Sequence, residues 1–142
     1  MKKTLVFFLL LMAGMAACGP EEKTQPLTYQ GFLENIWDFE TYPEDYVFKG
    51  STPIIVDFYA NWCGPCRKLL PLMEMMANEY ERKITIYKVD VDKEKALANF
   101  FLVKGLPVFF IFSTDGIFKR YDGTPTEAEF RELIEAELKK II

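Results

Sequence analysis

The chain has 142 residues, half of them apolar, with a formal charge of −4 and no histidine. Length and composition allow one domain with a real core, and the acidic balance argues against nucleic acid as a partner. The missing histidine excludes Ser-His-Asp and Cys-His catalysis, and three cysteines (Cys18, Cys63, Cys66) leave a structural zinc site at least one ligand short, so no metal and no cofactor are expected.

Lys2 and Lys3 open a targeting pattern, followed by an apolar stretch over 5–17 that is too short to span a bilayer comfortably. It ends in Ala16-Ala17, directly before Cys18. That ending resembles the lipobox of bacterial lipoproteins, with Met15 where leucine is usual, and implies cleavage before a lipid-modified Cys18. An ordinary secretory signal with Cys18 incidental is the alternative. The lipoprotein reading accounts for the odd cysteine and expects an exported protein, lipid-anchored in a bacterial cell envelope and facing the periplasm. Removing Lys2 and Lys3 makes the remaining chain more acidic still, so attachment to anionic lipid by charge is not expected.

Residues 18–26 read as a polar tether and 27–142 as the folded domain. Thr28 is a candidate N-cap for a helix on which Tyr29, Phe32, Ile36 and Phe39 recur at helical spacing. Segment 41–52 is irregular, punctuated by Pro43 and Gly50 and weighted by Tyr42, Tyr46, Val47 and Phe48; it is either a partner surface or a loop packed over the first helix. A buried strand over 54–59 carries Asp57 as its one charge. The helix after Trp62 runs to about Glu81, with Leu69, Leu70, Leu72, Met73 and Met76 on its apolar face and a kink at Pro71. A strand over 84–90, a short helix over 93–101, a strand over 108–112, a turn at Thr114-Asp115-Gly116 and a strand over 117–121 follow. Thr126 caps a last helix, with Phe130, Leu133, Ile134, Leu138 and Ile141 along one face.

Strands separated by helices predict parallel crossovers, and the Asp115-Gly116 turn predicts a terminal antiparallel hairpin. The expected fold class is α/β, a central mixed β-sheet flanked by helices on both faces.

The chemistry concentrates in Trp62-Cys63-Gly64-Pro65-Cys66. A strand that ends in a helix opening with Cys-x-x-Cys puts one sulfur at the helix N-terminus, where unpaired N–H groups and the helix dipole favour a thiolate. The second cysteine lies about one turn on, within reach of a disulfide. An inert structural disulfide is the alternative, but so small a loop gains little unfolded-state entropy. By strand alternation Asp57 should point inward beneath the cysteines, where burial raises its proton affinity; the alternative faces it to solvent at the strand end.

The segment 56–66, Val-Asp-Phe-Tyr-Ala-Asn-Trp-Cys-Gly-Pro-Cys, closely resembles the active-site segment of thioredoxins, and the likeness extends over most of residues 27–141. Pro71, Lys88-Val89-Asp90, Gly105-Leu106-Pro107 and Gly123 add to it. The resemblance implies a thioredoxin fold and a thiol-disulfide oxidoreductase in which an accessible Cys63 attacks and Cys66 resolves the mixed disulfide. It implies that Asp57 takes and returns the Cys66 proton with Lys88 nearby. It also implies a cis-proline at Pro107, with Leu106 offering backbone to substrate and Val108 replacing the usual threonine, and a substrate-binding face that takes in Trp62, Gly64, Pro65 and, after the hairpin, Gly123. In such motifs the attacking thiol falls from about 8.5 to about 7. Gly64-Pro65 is the dipeptide of thioredoxins, which lie on the order of 7 kcal/mol more reducing than a strong periplasmic oxidant, so a reductant is favoured over a disulfide maker. Trp62 is either core packing or a substrate-facing aromatic.

The expected activity is reduction of disulfides in exported proteins by a monomer that draws electrons from an upstream membrane or envelope donor. A dedicated reductant of apocytochrome cysteines is a variant within the same class. A non-catalytic thioredoxin-fold binding module is the alternative from another class; intact Cys63, Cys66, Asp57 and Pro107 speak against it.

Overall fold

The computed structural model describes residues 22–141. The leader over 1–17, Cys18 and the start of the tether lie outside them. In chain order the elements are β1 (Gln25–Pro26), α1 (Tyr29–Asn35), β2 (Ile54–Tyr59), α2 (Gly64–Glu79), β3 (Thr85–Asp90), α3 (Lys95–Phe100), β4 (Val108–Phe112), β5 (Phe118–Asp122) and α4 (Glu127–Leu138), ending in a 3-10 turn at Lys139–Ile141. The five strands form one mixed sheet in the order β1-β3-β2-β4-β5.

Strands β2 and β4 are central, and both their faces are covered, which is why they read as near-continuous apolar runs. Ile54, Val56 and Phe58 point into one core with Phe32, Ile36, Leu97 and Phe101, under α1 and α3. Ile55 points into the other, with Leu69, Met73, Met76, Phe130 and Ile134, under α2 and α4. Asp57 shares the face of Ile55 by alternation and so lies beneath α2. The helix starts are built as expected: Thr28 accepts from the Gly31 amide, and Thr126 with Glu129 forms a reciprocal capping box.

Three expectations are corrected. The end of the tether is not free chain: Gln25–Pro26 pairs in parallel with Tyr87 and Lys88 of β3, and the Leu27 amide donates to the Lys88 carbonyl. The link from β3 to β4 is not a parallel crossover, since β4 runs antiparallel to β2. Helix α3 has six residues, about 9 Å of axis, against about 20 Å for a six-residue strand. So short a helix leaves the chain near the end where β2 and β3 finish, and β4 begins there. Finally, α1 stops at Asn35 instead of reaching Phe39.

The segment 41–52 takes the packed-loop reading. Trp37 lies under it, donating Nε1–H to the carbonyls of Tyr42 and Asp45, with Tyr46 edge-on to its ring. Tyr46 and Phe48 pack on the α1/α3 core. The Lys49 amide donates to the Ile36 carbonyl, and its ammonium to that of Leu33.

Candidate active site

The turn after β2 delivers Cys63 to the first position outside α2. Its amide donates to the Ala60 carbonyl, and the Arg67 guanidinium donates to the Asn61 carbonyl across the same turn. Cys63 is the N-cap residue, and its sulfur accepts the Cys66 amide at 3.2 Å. A thiolate formed there meets the positive end of a sixteen-residue helix. Cys63 and Cys66 are joined as a disulfide with S–S 2.06 Å. Pro65 fits the first turn of a helix, where its missing N–H costs nothing, and Pro71 lies inside α2 on its exposed side.

One expectation about Cys63 is corrected. The resemblance makes it the accessible member of the pair, with Cys66 deeper, yet in the oxidised pair each cysteine is only 4% exposed. Ala60 and the two cysteines form a small cluster against which Tyr59, Val91 and Leu106 pack. The cover comes from both the strand ends and the loop before β4.

That loop is brought here by the antiparallel direction of β4. The Leu106–Pro107 peptide is cis. Pro107 is buried and its carbonyl accepts the Gly123 amide at 3.0 Å, which ties the loop to the end of β5. Gly123 holds φ +94, a conformation that side-chain-bearing residues rarely adopt. Trp62 stands outside the cluster, 68% exposed, with Nε1–H donating to Asp92 Oδ2 at 3.0 Å. Core packing for Trp62 is thereby set aside. Gly64 opens the helix with empty space where a side chain would stand.

Asp57 is 2% exposed, and its Oδ1 has no hydrogen-bond partner. Burial pushes its carboxyl up to about 7, against a smaller downward pull from the Lys88 charge. Lys88 is its register partner on β3. The Lys88 ammonium is 2.9 Å from Glu22 and 3.7 Å from Glu74. The structure thus gathers Cys63, Cys66, Leu106, Pro107 and Gly123 at one end of the sheet, with Trp62 on the rim and the Asp57–Lys88 pair on the strands below.

Two residues escape a reading of the motif. Asp92 anchors the Trp62 ring, and its only signal is a second acid two residues after Asp90 at a strand end. Glu74 is the one acid among Leu72, Met73, Met75 and Met76 of α2, a break in the apolar pattern that marks it as partnered.

The comparisons agree with this geometry. The thioredoxin family profile matches residues 38–136. A thioredoxin of Borreliella burgdorferi is 38% identical over 108 residues, covering 76% of this chain and 92% of its own. The chloroplastic thioredoxin Y1 of Arabidopsis thaliana is 32% identical over 96 residues, covering 68% of this chain and 56% of its own. Among solved structures, chloroplastic thioredoxin z superimposes with a TM-score of 0.64 at 25% identity, over 82% of this chain and 95% of its own. With the redox pair on the helix start, the cis-proline loop facing it and relatives that match over the same residues, the chain belongs to the thioredoxin family of thiol-disulfide oxidoreductases.

Proposed function

We propose that this oxidoreductase reduces disulfides of exported proteins from an envelope membrane, where lipid on Cys18 and the tether hold it. The observation that carries the chemistry is the Cys63 sulfur capping α2 and accepting the Cys66 amide, above a buried Asp57. In the reduced enzyme the Cys63 thiolate attacks one sulfur of a substrate disulfide; a Cys63–substrate bond forms and the other substrate sulfur leaves as a thiolate. Cys66 gives its proton to Asp57 and attacks Cys63 Sγ. The enzyme disulfide forms and the second substrate sulfur departs, so two electrons pass to the substrate. A donor dithiol in the envelope then reduces Cys63–Cys66. Trp62 and the Leu106–Pro107 backbone frame the incoming chain, a placement that favours an extended, β-like substrate segment. The leader 1–17, with Ala16-Ala17 ahead of Cys18, supports export and anchoring.

The test has two arms. Cys63→Ser should abolish insulin reduction in the presence of dithiothreitol, and unimpaired reduction would defeat the reading. In cells, Cys66→Ser leaves the mixed disulfide unresolved; exported proteins released from it by reductant support the reading, and capture of cytosolic proteins alone overturns the location. Mass spectrometry of the N-terminal peptide reads the lipid on Cys18.

A further inference from the structure

Lys88 stands across from Asp57, but among the described residues the acids paired with its ammonium are Glu22 and Glu74. The two are not equivalent. Glu22 is a 70% exposed side chain, so solvent and salt screen it. Glu74 is fixed: it accepts the amides of Lys23 at 2.8 Å and Thr24 at 3.2 Å, and the Thr24 hydroxyl as well. Thr24 is itself 2% exposed. Partial burial works against the Glu74 charge, but these hydrogen bonds and Lys88 outweigh it and hold the carboxyl below the usual glutamate range. Glu74 is therefore a permanent, rigid anion beside Lys88, on the helix that begins at the cysteine pair.

The other surroundings of Asp57 carry little charge. Phe109 is its register partner on β4, and the core on its face of the sheet is filled by Phe130 and Ile134 of α4 and by Leu69 and Met73 of α2. Among the described residues, Lys88 is the charge that pulls on the Asp57 carboxyl, lowering its proton affinity. Burial dominates how readily Asp57 holds a proton, and whatever fixes the Lys88 ammonium modulates it.

The geometry points to Glu74 as a positioning residue of the redox centre, which holds the Lys88 ammonium off Asp57 so that the Asp57 carboxyl can take up the Cys66 proton. The inference rests on the proton-acceptor role proposed above, and the same contacts link it to the tether through Lys23 and Thr24.

The experiment follows the Asp57 side-chain carboxyl by 13C NMR through a pH titration of the oxidised full chain, a readout that needs no turnover. In Glu74→Gln the freed ammonium can lean toward Asp57, and the midpoint should fall by about half to one pH unit. Thr24→Val loosens the segment but leaves the Glu74 charge, and should not move the midpoint. In a Lys88→Met background Glu74→Gln should no longer lower it, which keeps the test decisive if either single variant is destabilised. An unmoved or raised midpoint in Glu74→Gln overturns the inference. So does an equal shift in Thr24→Val, or a shift that survives Lys88→Met. If the wild-type protein fails to reduce disulfides, the functional reading falls while the titration still decides the role of Glu74.

Discussion

Replacing Asp57 by asparagine separates the cost of a buried charge from its use. An aspartate in the unfolded chain loses its proton near pH 4, roughly, whereas the native carboxyl keeps it to about 7 because burial disfavours the anion. Between those values the native protein holds a proton that the unfolded chain has released, so stability falls as pH rises through the window and the full penalty applies above it. The displacement corresponds to about 4 kcal/mol, of which about 3 kcal/mol falls between pH 5 and pH 9. Asparagine escapes this penalty. It brings instead an amide whose donors enter a place where one carboxyl oxygen already lacks a partner, at about 1 to 3 kcal/mol. The variant should thus be more stable than the parent by about 1 to 3 kcal/mol at pH 9, and between parity and about 2 kcal/mol less stable at pH 5. Urea unfolding of the oxidised proteins at both pH values reads this directly. The packing and amide terms are common to the two conditions and cancel in the comparison, leaving the ionisation alone. A variant-to-parent difference that is the same at pH 5 and pH 9 would refute the reasoning, because a late-titrating buried carboxyl cannot give that result. Turnover should move the other way, falling on the order of 100-fold or more in insulin reduction if Asp57 is the proton acceptor proposed above.

Two further substitutions probe the rim. Trp62→Ala removes a ring that is mostly in water and held by one hydrogen bond to Asp92, so the unfolding midpoint should stay within about 0.5 kcal/mol while KM for a protein disulfide rises several-fold; a change in kcat alone would count against a substrate-facing role. Gly123→Ala meets open space but forces a side chain onto φ +94, which should cost about 1 to 2 kcal/mol in urea unfolding and speed hydrogen exchange of the amide that binds the Pro107 carbonyl. A neutral result would mean that the turn relaxes freely.

How far a reading of residues reaches depends on where the physics is local. Sulfur at a helix start, Thr126 three residues before Glu129, and the Asp115-Gly116 turn are short-range chemistry, and the corresponding elements form where the pattern places them. Asp57 could be placed because period-two alternation in a buried strand leaves it one face or the other. Strand β1 has two residues and therefore no period; its pairing depends on β3, far along the chain. The direction of β4 depends on the length of α3, which propensity sets to within a turn at best. Trp37 lies off the Tyr29, Phe32, Ile36, Phe39 spacing, so no helical pattern marks it. It matters through tertiary contacts with Tyr46, Phe100 and Phe118 that no local rule supplies. Glu137, 3% exposed, occupies the inner face of α4 among apolar residues and is satisfied there by Ser113 and Lys140, whereas Ile141, assigned to that face, is 47% exposed.

The near-complete cover of Cys63 in the oxidised pair means that a thiolate formed there has to be held against desolvation. Its neighbours Ala60, Tyr59, Val91 and Leu106 present no formal charge, so the stabilisation of a thiolate falls on the Cys66 amide and the other N–H groups of the first turn of α2. In apolar surroundings those dipoles act more strongly than they would in water, provided no second anion shares the site. Asp57, on the strand face beneath the same helix, is that second anion unless it carries a proton. Neutral Asp57 and anionic sulfur are therefore the compatible pair, and charging the carboxyl while the sulfur is still ionised is disfavoured by both burial and repulsion. The two protons come off as properties of the coupled centre. On the proposed mechanism the carboxyl can ionise, and so become able to take the Cys66 proton, only once the Cys63 charge has passed to the substrate in the mixed disulfide, which is the state from which Cys66 closes on Cys63.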